Sequence, residues 1–519
     1  MVPRMVSCML SYEEERRTIG TLVKNNKDIA VRYFSSEKKP YPGPRMRFSI
    51  SNKRLNGMSL FCLLYPSSFL TVCYNPIDCM NRSMSLKEIE RKIEEKISKK
   101  LEKYKTPLSG AIDQRWYYMA PLLLDSQRYV AEWLNGDKKL LYDEDDISAL
   151  FLKHLEQLRK LFYNNIEEFE LGRKPKDLYF VLANMAIASP AVCINRLYRL
   201  YSAGKNYESF LPTQVAKRFI DMMNKPDSTA IIELVCGKNK EDVHWKNILT
   251  YCKQGNIQSM FDEYAHLLSN GYEGDNIISK LHKEIMSNMN LRTTPYEIDT
   301  WQNFNKTINE QKIIPTRIRT HFAVAFTKGE GSDTDTNREK LLRSAFNSPF
   351  RPFVLTSTSI GQEGLDFHNY CRKIVHWNLP SNPIDLEQRE GRINRFKCLA
   401  IRQNVAKRYG NIIFKSNIWE ELFQEAKLME SSKKSSDLIP YWGLKETKDM
   451  IRIERIVPMY PLSKDQEAYK RLIKILSLYR LTLGQARQEE LLEYLIQNES
   501  GKENLEELFM NLSPYFRKV

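Results

Sequence analysis

Residues 353–396, FVLTSTSIGQEGLDFHNYCRKIVHWNLPSNPIDLEQREGRINRF, constrain the fold more than any other part of the chain. Phe353-Val354-Leu355 is an apolar, strand-like run that opens into a hydroxyl- and glycine-rich loop, Thr356 to Asp366. A second short strand, Lys373 to Trp377, ends at Leu379-Pro380. A helix then starts with Asn382 as N-cap, Pro383 at the first helical position, and Asp385 and Glu387 in the first turn. This order specifies a parallel α/β sheet that binds ligands at the carboxyl ends of its strands. Gln388, Arg392 and Arg395 stand at i, i+4 and i+7, one helix face at about 3.6 residues per turn. Two guanidiniums beside Gly391 suit a polyphosphate, because their planar forks stay charged and bind phosphate oxygens bidentately. The plainer alternative is a solvated basic helix face.

In this order, the loop and the arginine helix resemble motifs V and VI of superfamily 2 helicases and translocases, which include DEAD-box and Swi/Snf-type motors. TSTSIGQEGLD is similar to motif V and QREGRINR to motif VI. The resemblance covers residues 311–415. It takes in a strand from Arg319 to Phe326, a polar loop through Gly329 and Gly331, and a helix through Arg338, Leu341, Leu342 and Phe346. It implies a RecA-like α/β parallel-sheet domain of the helicase C-terminal type, embedded between largely α-helical regions. It also implies roles for single residues. Arg392 and Arg395 become arginine fingers on the γ-phosphate, and Gln388 a contact to the nucleotide or the attacking water. Asp366 accepts a hydrogen bond from the ribose, Gly364 lets the main chain lie close to the nucleotide, and Arg389 stands beside it. Thr356, Thr358, Gly361 and Gln362 become contacts to the bound strand. For Asp366 the alternative is a carboxylate capping its own turn.

The resemblance further implies ATP and Mg2+, yet no GxxxxGK[ST] loop occurs in the chain. Gly204-Lys205-Asn206 and Gly237-Lys238-Asn239 lack the upstream glycine, the following Ser or Thr, and a preceding strand. Asp262-Glu263-Tyr264-Ala265-His266 has the outline of a DExH box. However, Ile257, Met260, Phe261, Tyr264, Leu267 and Leu268 repeat around it at helical spacing, which predicts an amphipathic helix instead of a buried strand. The expectation is that a first RecA-like motor domain, in cis or from a partner chain, supplies the phosphate loop and the magnesium ligands. No metal ligand set is expected in this chain.

Composition agrees with a nucleic-acid partner. Against 64 acidic residues stand 79 Lys and Arg, a net +15, and such a chain attracts polyanions by phosphate contact and counterion release. Lys397, Arg402, Lys407 and Arg408 read as a phosphate track behind the finger arginines. DNA is the expected partner ahead of RNA. Nine dispersed cysteines without a CxxC pair read as reduced thiols, and hence a cytoplasmic protein. No apolar run reaches the length of a membrane span.

Four regions are expected along the chain: a mixed α/β stretch at 1–85, a helical subdomain at 86–310, the RecA-like domain at 311–415, and a helical accessory region at 416–519. Arg45 to Ser51 and Met58 to Tyr65 read as strands, and Lys87 to Lys105 as a solvated amphipathic helix. Trp116, Tyr117 and Tyr118, with Arg115 beside them, read as core aromatics first and a base-stacking platform second. Ile451 to Val457 reads as a strand in the accessory region. Three functions compete: the second motor half of an ATP-dependent helicase or translocase, a non-catalytic nucleic-acid-binding module that kept the fold, and an interaction scaffold whose arginines serve partner phosphates or acids.

Overall fold

A computed structural model describes residues 46–104, 107, 109–136, 147–167, 171–202, 204, 206–236, 244–269, 276–289, 294–298, 305, 316–320, 333–350, 352–356, 366–430, 436–445, 447–481, 490 and 493–494. The chain divides into two units, residues 1–323 with 350–352, and residues 324–349 with 353–519. Residues 311–415 therefore contribute to both.

The first unit opens with the antiparallel strands β1 (Ser49–Ser51) and β2 (Arg54–Asn56). Asn52 and Lys53 between them both have positive φ, the geometry that a tight two-residue hairpin demands. A 3-10 turn at Met58–Leu60 leads into α1 (Phe61–Leu64). The following helices are α2 (Ser68–Cys73), α3 (Pro76–Asn81), α4 (Leu86–Leu101), α5 (Trp116–Leu124), α6 (Gln127–Asn135) and α7 (Ile147–Glu167). Then come α8 (Leu178–Ala188), α9 (Pro190–Tyr201), α10 (Leu211–Met223), α11 (Pro226–Cys236), α12 (His244–Gln254), α13 (Ile257–Ser269) and α14 (Ile277–Met289). β3 (Thr294–Ile298) and β4 (Thr316–Thr320) close the unit as an antiparallel pair.

Periodicity explains the layering. In α4 a Ser85–Glu88 capping box starts the helix, and Ile89, Ile93, Ile97 and Leu101 bury one stripe while most of the charged residues face water. α8 is apolar all round, and Val181 to Ala188 are all buried against α2, α4, α5 and α12. Ser189 ends it, and Pro190 at the first helical position restarts the chain as α9. Trp116, Tyr117 and Tyr118 are buried on α5, so the core reading holds and they offer no stacking platform. The DExH-like residues lie on the amphipathic helix α13, as the periodicity predicts.

One segment reverses the sequence expectation. Met58 to Leu64, read as a strand, is helical. Leu60 to Tyr65 are all buried, and a short run buried on every side carries no periodicity to separate strand from helix. Phe61 is fully buried and contacts the rings of Phe48, Trp133 and Phe151. Phe61→Ala should cost about 3–5 kcal/mol through lost burial and a residual cavity, measured as a fall in the urea midpoint of this unit.

The second unit contains α15 (Asp333–Phe346), β5 (Lys373–Val375), α16 (Pro383–Gly391), α17 (Leu399–Tyr409), α18 (Ile418–Glu430), β6 (Glu454–Ile456) and α19 (Asp465–Leu481). β5 and β6 pair in parallel, with Ile374 opposite Arg455. Phe346, Phe367 and Ile393 form its core with Leu355, Cys371, Ile374 and Ile453, while Leu386 packs against Leu472 and Leu476 of α19. A complete RecA-like parallel sheet is not seen among the described residues: one strand pair is parallel, and β3–β4 is antiparallel. Phe353 to Leu355, expected as a strand, is not in a strand, and Phe353 and Val354 are exposed. Of the strand expected from Arg319 to Phe326, Arg319 and Thr320 end β4, and residues 321–326 lie outside the described residues. Among the described residues no single helix is long and apolar enough to cross a membrane.

Candidate phosphate-binding site

α16 starts as its sequence dictates. Asn382 Oδ1 accepts the Ile384 N–H at 2.9 Å, Pro383 is at the first position, and Asp385 lies in the first turn. It ends sooner than the i, i+4, i+7 spacing suggests. Gly391 is the last helical residue, Arg392 is the C-cap, and the N–H groups of Ile393 and Asn394 both donate to the Glu390 carbonyl at 3.1 Å. Arg395 therefore stands beyond the helix on a turn, and does not share one helix face with Gln388 and Arg392. The turn has a packing cause: Ile393 must reach the Phe346–Phe367 core, and the Phe367 N–H donates to the Arg392 carbonyl at 3.0 Å. That bond ties the end of the glycine-rich loop to the arginine helix.

Arg392 is 6% exposed, and among the described residues its Nε and Nη2 have no hydrogen-bond partner. Burial, and secondarily the charge of Arg389, push its pKa down. Among the described residues, no anion repays the desolvation of this guanidinium. A Cβ added at Gly391 would meet nothing, so the backbone beside it is open. Arg395 is about half exposed, and its Nε lies 3.0 Å from Asp366 Oδ1. Gln388 is exposed, and Arg389 donates from Nη1 to the Asn378 carbonyl at 3.0 Å. Thr356 is described at the start of the loop, whereas Thr358, Gly361, Gln362 and Gly364 lie outside the described residues.

The structure thus brings Asp366, Arg392 and Arg395 to one turn and supports it with residues that the sequence did not single out. Asn347, just after α15, donates from Nδ2 to the Asp366 carbonyl at 2.6 Å and accepts the Asn369 N–H at 3.3 Å. An Asn following the last turn of a helix was the available signal. Glu390 accepts both forks of Arg455, with Nη2 to Oε2 at 2.7 Å, and lies 3.2 Å from His376 Nε2. No sequence signal joins Arg455 to Glu390, because 65 residues separate them.

These partners hold the Glu390 carboxyl at about 2, although burial alone would raise it. Because the folded value lies below the usual carboxylate range, Glu390 contributes stability in full above about pH 4.5. That contribution fades as pH falls towards 2, and after solvent screening is on the order of 2 kcal/mol. The stability difference between wild type and Glu390→Gln should therefore be largest near pH 6 and shrink towards pH 2, read from urea midpoints across that range.

The expected phosphate track is a correction. Arg402 is fully buried and donates to the carbonyls of Lys397, at 2.8 Å, and Asn369. Lys397 is buried over the rings of Phe396, Phe423 and Tyr441. Lys407 donates to the Asp449 carbonyl, and Arg408 pairs with Glu430. These cations hold α17, α18 and the 436–450 segment together, so they present no continuous basic surface. Among the described residues, no group of three His, Cys, Asp or Glu could hold a metal ion, and the described cysteines are free thiols.

The family model described as the helicase conserved C-terminal domain matches residues 276–397. The match begins at the start of α14, includes β3 and β4, and ends just past the arginine turn. No curated protein and no solved structure matches the chain significantly.

Proposed function

We propose that the helicase C-terminal domain at residues 276–397 is the second motor half of an ATP-dependent nucleic-acid helicase or translocase. In this reading it lends Arg392 and Arg395 to an ATP site whose other wall is a first RecA-like domain, in cis or from a partner chain. The observation that carries the reading is Arg392, a buried cation with two nitrogens unpartnered among the described residues, beside an open glycine. ATP would supply the transferable phosphoryl group, and Mg2+ ligands would come from the first motor domain. Arg392 is already desolvated, so its N–H groups would stabilise charge developing on phosphoryl oxygens without first shedding water. Arg395 would exchange Asp366 for a phosphate oxygen. A half-exposed ion pair is worth less than about 1 kcal/mol, so that exchange is cheap, and it frees Asp366 for a ribose hydroxyl. Gln388, on the exposed side of α16, would orient the attacking water.

The strand-binding role of Thr356, Thr358, Gly361 and Gln362, the contacts of Gly364 and Arg389 to nucleotide, the preference for DNA, and a cytoplasmic location belong to the same proposal. The test is ATP hydrolysis by this chain combined with a domain bearing a P-loop, measured against single- and double-stranded DNA and RNA. DNA should stimulate turnover most, and the isolated chain should hydrolyse essentially no ATP. Rapid turnover by the isolated chain would refute the shared site, and indifference to every nucleic acid would refute the motor.

A further inference from the structure

We propose that Arg455 is a positioning residue for Arg392: acting through Glu390, it lets the accessory elements β6 and α19 set the orientation of the finger arginine. This rests on the reading of Arg392 as a phosphate ligand. Glu390 is the hinge of the arginine turn, since its carbonyl accepts the N–H groups of Ile393 and Asn394 immediately after Arg392. Its side chain does not face solvent alone. Arg455 grips both carboxylate oxygens, Nε on Oε1 and Nη2 on Oε2, and extends Nη1 to the Tyr469 hydroxyl on α19 at 3.2 Å.

A second set of contacts converges on the same carboxylate. The His376 side chain is completely buried with Nε2 3.2 Å from Glu390 Oε1, and its backbone N–H donates to the Ile456 carbonyl at 2.9 Å. Leu472 and Leu476 of α19 pack on Leu386, one turn before Glu390 in α16. Strand, α19 and carboxylate are therefore all tied to the helix that leads into Arg392. A two-pronged Arg–carboxylate pair fixes direction as well as distance, which a lone charge does not. The depressed pKa of Glu390 agrees with a carboxylate kept ionised for this grip.

The test uses this chain, ATP as the probe, and two readouts: ATP affinity, and hydrogen exchange of the amides of residues 392–397. Arg455→Met should weaken ATP binding about tenfold and speed exchange at 392–397 by a similar factor, while exchange in α18 stays at the wild-type rate. Arg455→Lys should behave like Arg455→Met, and the Glu390→Gln/Arg455→Met double variant should be no worse than Arg455→Met alone, as expected of residues acting through one contact. Should Arg455→Met also loosen α18, Glu390→Gln, which keeps the side-chain shape, carries the same two readouts. If Arg455→Met and Glu390→Gln bind ATP within about twofold of wild type while Arg392→Ala loses it, positioning is overturned and the phosphate reading stands. Unchanged ATP affinity in Arg392→Ala would overturn both.

Discussion

Arg392→Ala should lower nucleic-acid-stimulated ATP hydrolysis by about three orders of magnitude while leaving strand affinity nearly intact. Both halves follow from where the side chain sits. Its guanidinium is buried, so it is poorly placed to hold a solvated strand; its Nε and Nη2, unpartnered among the described residues, suit phosphate charge that is already present on bound ATP and grows during phosphoryl transfer. Arg392→Lys should fail almost as badly, because an ammonium offers a point charge in place of a planar fork. Stability gives an independent signature. A buried cation without an anion costs folding free energy, so Arg392→Met should leave the unfolding free energy unchanged or raise it by about 1 kcal/mol, read from urea denaturation. If Arg392→Met instead loses several kcal/mol, the residue holds the fold together and the finger assignment is wrong. If turnover survives and strand binding collapses, Arg392 is a nucleic-acid contact.

The second large effect concerns a residue whose sequence context suggested function and whose environment shows structure. Arg402→Ala should destabilise the second unit by about 3–5 kcal/mol, because it empties a fully buried site and removes a donor from each of two backbone carbonyls. One of those carbonyls belongs to Lys397, two residues past Arg395, so hydrogen exchange at the arginine turn should rise together with the loss of stability. Lys407→Ala, by contrast, removes an exposed contact to the Asp449 carbonyl and should change stability by less than about 1 kcal/mol. Were Arg402 part of a phosphate track, its removal would weaken nucleic-acid binding and flatten the salt dependence without altering the denaturation midpoint. That pattern would refute the structural role.

Local sequence features proved legible where the determining interactions are themselves local. Asn382 and Pro383 start α16 because a cap and a preset φ act within one turn. The stripe of Ile89, Ile93, Ile97 and Leu101 specifies α4, and the apolar periodicity around Asp262 rules out a strand there. The reading faltered where burial was uniform, as at Met58 to Leu64, and where an apolar segment forms no strand among the described residues, as at Phe353 to Leu355.

The candidate site shows the same division. Its arginines could be named from their spacing on a capped helix and Asp366 from the resemblance to motif V, and the family match covers the same residues. What the spacing could not reveal is that Gly391 ends the helix and Arg395 turns onto Asp366. Nor could it reveal that Arg402 and Lys397, chemically identical in sequence to surface cations, are buried.

By itself the sequence determined which chemical groups are available and which short segments are helical, because capping, periodicity and charge act over a few neighbouring residues. Only the tertiary structure decided which cations remain available for an anion. That depends on desolvation and on carbonyls or carboxylates contributed from distant parts of the chain, as Arg455 is brought to Glu390 by the pairing of β6 with β5.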